Sequence, residues 1–311
     1  MKDNEGLLGR FITNRERNQP ITTLQSVGNY MLSSSAETRG RPKDYKYAGM
    51  AAIFRTSEAA YPMFIEELRD SEPNGYLIGV GTGGIFTLLQ AFDKPPEGIV
   101  IADINPYVVI GGRVMVEMLL ASEGPEEFTN NFFKMPQEDY WKIADAITQK
   151  DKTFRRGLKD WHISLKRDFY TPMISANAQT RHNIPEVVTD NFAVLKKLAQ
   201  EGEIAVCYTD ILNPDFVQAI EGLPDFKTTA SLIYISNIVS LMFEGDPRVH
   251  DIRNLATLET NEAPPVFISA DSKNDLDMHK VSKIGDISAP RWMQELDWSF
   301  GIAEQPESQN V

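Results

Sequence analysis

Residues 74–105 read NGYLIGVGTGGIFTLLQAFDKPPEGIVIADIN, and this stretch decides the fold. Its first apolar run, 76–80, predicts a buried strand, because hydrophobic and polar residues do not alternate within it. Apolar residues then recur at helical spacing over 85–92, and a pair of prolines ends that helix. A second apolar run, 99–102, predicts another buried strand that ends on Asp103. The pattern is typical of a βαβ unit with a nucleotide-type ligand at the strand ends.

The turn between the first strand and the helix contains four glycines: Gly79, Gly81, Gly83 and Gly84. They satisfy both the spacing G-x-G-x-x-G and the spacing G-x-G-x-G. A ligand approaches bare backbone closely only where no Cβ obstructs it, and Asp103, about 20 residues further on, can accept hydrogen bonds from ribose hydroxyl groups. We therefore expect a cofactor crevice here. The alternative is a glycine turn that only packs the helix against the strand.

Three further apolar runs predict strands later in the chain, at 203–210, 231–238 and 265–270. Strands that alternate with helices indicate an α/β fold with a doubly wound, mostly parallel sheet. The carboxyl ends of parallel strands meet at one edge of the sheet. Asp210 and Asn237, which lie at the ends of two of these strands, are therefore expected near the glycine turn and Asp103.

Residues 76–83, YLIGVGTG, resemble the glycine motif of class I S-adenosylmethionine-dependent methyltransferases. The resemblance extends over 57–122 and 200–300, and it implies a Rossmann-like, methyltransferase-like fold with S-adenosylmethionine as the cofactor. It also implies a role for individual residues. Asp103 would hold the cofactor ribose, Asp210 would meet the adenine, and Ser236 with Asn237 would face the substrate and the transferred methyl group.

The resemblance implies a transferase that methylates a small molecule or a protein by in-line displacement. Two alternatives stay open. The family usually has an acid two residues before the first glycine, where this chain has Leu77, and this difference favours a module that binds a ligand or protein without turnover. The glycines also permit an NAD-dependent oxidoreductase, although no Tyr-x-x-x-Lys or His–Asp pairing suited to hydride chemistry follows a later strand.

The segments expected from the sequence are an N-terminal arm that could act as a lid (1–48, with one helix near 22–32), a Rossmann-like cofactor-binding domain (49–122 and 187–303), a helical insertion (123–186) and a disordered polar tail (304–311). The insertion is expected to be helical up to residue 169 and to end in a polar loop through Arg181 and His182. It could cover the substrate or form a dimerisation arm. Basic residues crowd its helix at 152–169, where they could meet an anionic substrate or pair with the protein's own carboxylates.

The net charge of −13 in 311 residues argues against general nucleic-acid binding, because the average field repels phosphate. The single cysteine, Cys207, excludes intrachain disulfides and lies in an apolar run, so a buried thiol is expected. No run reaches the roughly 18 apolar residues of a membrane span, and the polar N-terminus is unlike a signal peptide. A cytoplasmic protein without a membrane partner is expected. The four histidines show no metal-ligand spacing, so no metal site is expected.

Overall fold

The computed structural model describes residues 24–33, 65, 69, 75–81, 85–86, 88–134, 138, 173–174, 181–182, 188, 190–223, 230–235, 266–270 and 276–280. Among these residues, no helix is long and apolar enough to cross a membrane.

Outside 123–186, the described helices and strands up to residue 270 follow the order expected from the apolar runs. The helices are α1 (Leu24–Ser33), α2 (Pro106–Ala121), α3 (Pro125–Lys134), α4 (Phe192–Glu201) and α5 (Pro214–Glu221). The strands are β1 (Tyr76–Gly79), β2 (Gly98–Asp103), β3 (Met173–Ile174), β4 (Arg181–His182), β5 (Ile204–Tyr208), β6 (Ala230–Tyr234), β7 (Val266–Ala270) and β8 (Leu276–Lys280). A helix after the glycine turn is also confirmed at residues 85, 86 and 88, and it tightens to a 3-10 turn at Leu89–Ala91.

Six strands form one sheet in the order β5-β2-β1-β6-β7-β8. Neighbouring strands are parallel except β7 and β8, which are antiparallel. The predicted α/β fold with a mostly parallel sheet is therefore confirmed. Counted along the chain, the five parallel strands have the order 3-2-1-4-5, which reverses between β1 and β6. Ligands of open α/β sheets bind at such a reversal, outside the carboxyl ends of the strands.

Helices cover both faces of this sheet, because successive strand residues point to opposite sides. On β2, Ile99 and Ile101 join a core cluster that includes residues of α2, α3 and α4. Val100 and Ala102, the alternate residues of that strand, join a second cluster with residues of α1 and α5. Because helices cover both faces of the sheet, the strand residues on both faces are apolar. The hydrophobic runs in the sequence are continuous for the same reason.

Helix α1 covers the open edge of β5. Glu203 and Thr209 form hydrogen bonds with β2, so the N–H and C=O of Val206 point to the other side. The Nη2 atom of Arg113 donates to the Val206 carbonyl at 3.1 Å, and Gly28 of α1 packs directly on the Val206 backbone. An uncovered edge would offer these groups to another chain, so the contacts protect the sheet.

Helix α1 runs in the same direction as β5. Its Gln25 amide donates to the carbonyl of Gly202, which precedes β5, whereas Gly28 lies beside the middle of the strand. Leu24, Val27 and Met31 are fully buried on the sheet. The expected helix of the N-terminal arm is thus part of the core, and the rest of the expected lid lies outside the described residues.

Two local signals of the sequence correspond to observed helix ends. Gly202 ends α4 in the left-handed conformation with φ +80°, and the amide of Glu203 donates back to the Leu198 carbonyl. Asn213 caps α5 by accepting a hydrogen bond from the Asp215 amide, and Pro214 follows it at the first helical position.

The segment 123–186 differs from the helical block that the sequence predicts. Helix α3 agrees with the prediction, but β3 and β4 pair as antiparallel strands, with Met173 opposite His182 and Ile174 opposite Arg181. The expected polar loop through Arg181 and His182 was therefore wrong at these two residues. Polar composition indicates a loop locally, whereas strand pairing depends on a partner elsewhere in the chain. The expected helix at 152–169 and the expected tail at 304–311 lie outside the described residues.

Candidate functional site

The register of β1 and β2 places the glycine turn against Asp103. Gly79 is paired with Ile101, so Gly81, two residues further on, lies opposite Asp103. The Gly81 amide donates to Oδ2 of Asp103 at 3.2 Å, and the Asn105 amide donates to Oδ1 at 2.7 Å. Asp103 therefore lies at the carboxyl edge of the sheet beside the glycine turn, as expected. Its carboxyl group is bonded directly to the turn, with no gap between them.

The glycines of the turn differ in what surrounds them. Gly81 has φ +75°, which other residues rarely adopt, and a Cβ built on it has no neighbour within 4 Å. A Cβ on Gly79 would lie 2.4 Å from Cδ1 of Ile85 and 2.5 Å from the Tyr234 carbonyl oxygen. The position of a Cβ on Gly81 is thus open space, whereas the position of a Cβ on Gly79 is occupied by the protein itself. Gly83 and Gly84 lie outside the described residues.

Asp210 follows β5 and lies close enough to Asp103 for its charge to raise the pKa of the Asp103 carboxyl group. It is buried, and its Oδ1 accepts a hydrogen bond from the Leu212 amide at 3.0 Å. Thr209 donates to the Asp210 carbonyl and accepts from the Asn213 side chain. The structure therefore brings Asp210 to the same edge as Asp103 and places it in a turn whose geometry is set by neighbouring side chains.

The Asp103 carboxyl group has a raised pKa of about 7. Burial is the largest cause, because it disfavours the charged form. The amides of Asn105 and Gly81 act in the opposite direction by stabilising the carboxylate, and Asp210 adds a repulsion that raises the pKa further. Near neutral pH both the protonated and the ionised form of the carboxyl group are therefore present.

Three side chains on strands that lead to the candidate site, Leu77, Tyr208 and Tyr234, are buried in the core. Leu77 is fully buried among the residues that pack under α2 and α4, so position 77 directs its side chain into the first cluster. Tyr208 and Tyr234 belong to the same cluster and are 3% and 2% exposed. These positions contribute packing at the strand ends.

Cys207 is buried, as expected, and burial raises the pKa of its thiol to about 12. The neighbouring Arg113 acts in the opposite direction, but its effect is smaller than that of burial. At physiological pH the sulfur is therefore a thiol and a poor nucleophile.

Ser236 and Asn237 lie outside the described residues, and so does His162. Within the described part of the chain, no group of three His, Cys, Asp or Glu side chains could hold a metal ion. Sequence reasoning missed Asn105, Thr209 and Asn213. For Asn105 and Asn213 a signal was present, because each is followed by Pro, and Asn followed by Pro commonly begins a helix.

The comparison with curated proteins found no match. A family model described as a domain of unknown function, DUF7790, matches residues 53–284. The matched range contains all strands of the large sheet and the residues of the candidate site, whereas α1 lies before it. Since the model covers more than half of the chain, the protein belongs to the DUF7790 family of domains of unknown function.

Proposed function

We propose that this protein is an S-adenosylmethionine-dependent methyltransferase that acts on a small molecule or a protein. The observation that carries the proposal is the meeting of an open, left-handed Gly81 with the Asp103 carboxyl group at the strand reversal. A glycine amide and a carboxyl group side by side suit a nucleoside, because a ribose presents hydroxyl groups that both donate and accept.

The sheet supports a methyltransferase-like version of the α/β fold. Its reversal lies between β1 and β6, and the residues after β6 include Ser236 and Asn237. Asp103 would accept from the ribose hydroxyl groups, and Asp210 would contact the adenine. The glycine turn would contact the remaining part of the adenosyl group through its backbone.

The bound cofactor would supply a methyl group on a positively charged sulfur. The chain would hold the acceptor in line with that methyl group and exclude water from it. Ser236 and Asn237 would position an acceptor amine or hydroxyl group by hydrogen bonds. A weakly nucleophilic acceptor would also need a base to take its proton.

The burial of Leu77 favours a second candidate, a module that binds an adenosyl ligand or a protein without turnover. The related methyltransferases usually have an acid at this position, which holds the amino-acid end of the cofactor. Here the side chain is fully buried in the core and cannot contact a ligand at the strand ends. Other groups would have to hold that end of the cofactor.

Calorimetric titration of the whole chain with S-adenosylmethionine, S-adenosylhomocysteine and NAD tests the proposal. We expect both sulfur ligands to bind. Asp103→Asn should weaken their binding roughly tenfold or more, because the amide keeps only one of the two oxygens that can accept from the ribose hydroxyl groups. Asp93→Asn is the matched control. Asp93 is exposed in the turn before β2, at the opposite end of the strand from Asp103, so this substitution should leave binding unchanged.

Tight binding of NAD and of neither sulfur ligand would instead support the oxidoreductase. Binding of S-adenosylmethionine without formation of S-adenosylhomocysteine, across a broad set of small-molecule and protein acceptors, would support the binding module. Failure of all three ligands to bind would overturn the proposal.

A further inference from the structure

The two groups that face the candidate crevice are bonded to each other. The register of β1 and β2 brings the Gly81 amide to Oδ2 of Asp103, so the donor of one strand end satisfies the acceptor of the next. In the proposed function the same amide and the same carboxyl group would contact the ligand. A ligand must therefore replace this hydrogen bond before it can use either group.

The two hydrogen bonds of Asp103 differ in length and in what they connect. The bond from the Asn105 amide to Oδ1 is 2.7 Å long and joins residues of one turn. The bond from the Gly81 amide to Oδ2 is 3.2 Å long and joins two strand ends. The Gly81 bond lies at the long end of the range for N–H···O hydrogen bonds, so it is the weaker of the two. Asn105 can hold the carboxyl group in place while the bond to Gly81 breaks.

Gly81 is suited to such an exchange. Its φ of +75° is available to glycine at little cost, and the space where a Cβ would lie is empty. Its carbonyl accepts from the Ile85 amide at 3.3 Å, which connects the turn to the start of the following helix. Because glycine has no side chain, none obstructs a change in the orientation of the Gly81 amide.

We propose that the hydrogen bond between Gly81 and Asp103 is a latch that closes the free crevice, and that a ribose hydroxyl group opens it by inserting between the two. This inference rests on the proposed function. A hydroxyl group accepts from the Gly81 amide and donates to Oδ2 of Asp103 at once, so neither group loses a partner. An ammonium group cannot accept, and a phosphate would place negative charge against the carboxylate.

Other groups also lie near Asp103. Tyr208 is its partner in the register of β5, and Asp210 follows that strand. The turn of β1 and the start of α2 contribute the backbone amides of Gly81 and Asn105.

Nuclear magnetic resonance of the ¹⁵N-labelled full chain tests the latch through the amide signal of Gly81. We expect saturating S-adenosylhomocysteine or adenosine to shift this signal. We expect 2′,3′-dideoxyadenosine to bind roughly tenfold more weakly or worse, and not to shift it, because it lacks the inserting hydroxyl groups. In the free protein, Asp103→Asn should shift the Gly81 signal and Asp93→Asn should not. The remaining signals show that each variant is folded.

Binding of S-adenosylhomocysteine with an unchanged Gly81 signal would overturn the latch and leave the proposed function standing. Equal affinity for adenosine and 2′,3′-dideoxyadenosine would also overturn the latch and leave the proposed function standing. If no adenosyl compound binds, the proposed function falls, and the latch falls with it.

Discussion

At the scale of single residues, the carboxyl group of Asp103 connects the two halves of the candidate site and is also a source of pH dependence. Its pKa is raised from 3.8 to about 7, so the folded protein holds this proton more tightly than the unfolded chain does. The stability that the group contributes is complete below pH 4 and is lost as the pH rises towards 7, because the unfolded chain ionises first.

We therefore predict that Asp103→Asn removes part of the loss of stability between pH 4 and pH 7. The free energy of unfolding of the variant, measured by urea denaturation, should rise relative to that of the wild type by about 1–4 kcal/mol across this range. The rise should be nearer 1 kcal/mol the more water reaches the half-buried Asp103 carboxyl group, because water screens its interactions. Asp93→Asn should parallel the wild type. Parallel curves for Asp103→Asn and the wild type would contradict the assignment.

Gly79 and Gly81 belong to one sequence motif, but the structure needs them for different reasons. We predict that Gly79→Ala lowers the free energy of unfolding by about 1–3 kcal/mol, because the new methyl group collides with Ile85 and the Tyr234 backbone. Gly81→Ala should cost about 1–2 kcal/mol through its left-handed conformation alone.

Asparagine separates the two causes, because it tolerates the left-handed conformation and is larger than alanine. Gly81→Asn should recover part of the stability lost in Gly81→Ala, whereas Gly79→Asn should be worse than Gly79→Ala. Urea denaturation of the four variants measures this order. A Gly79→Ala variant as stable as the wild type would contradict the close packing of Gly79 against the Tyr234 backbone.

At the scale of secondary-structure elements, the packing of α1 on β5 depends on a glycine. A Cβ on Gly28 would lie 2.8 Å from Nη2 of Arg113 and 3.2 Å from the Val206 carbonyl oxygen. We predict that Gly28→Val lowers the free energy of unfolding by about 1–3 kcal/mol, because the helix must move away from the strand. Gln25→Val places the same side chain at an exposed position of α1 and should change stability by less than about 0.5 kcal/mol.

Displacement of α1 should also expose the N–H and C=O groups of the β5 edge. Size-exclusion chromatography of Gly28→Val should then show association that Gln25→Val lacks. Equal stability and equal elution of the two variants would contradict the role of α1 as the cover of this edge.

At the scale of the whole molecule, the sequence predicted the kind of architecture because burial on both faces leaves a local record. The runs 76–80, 99–102 and 203–210 are apolar without alternation, and each became a central or edge strand of the sheet. The strand order has no such record. It depends on which strand pairs with β1, and β6, more than 150 residues away in the chain, takes one of the two places.

The part of the candidate site that lies within one βαβ unit could also be predicted from the sequence. The distance from the glycine turn to Asp103 follows from the length of one βαβ unit, so the residues that meet could be named from spacing. The pairing of β3 and β4 could not be predicted from the sequence, because each strand is two residues long and forms only with its partner.

The sequence by itself determined the α/β class, the position of the glycine turn and the acid that faces it, because apolar runs, glycines and spacing act within about 30 residues. Only the tertiary structure decided that α1 closes the sheet edge, that Gly79 accommodates protein instead of ligand, and that Gly81 and Asp103 satisfy each other. These outcomes depend on strand register and on contacts between distant segments, and such contacts form only when the whole chain is packed.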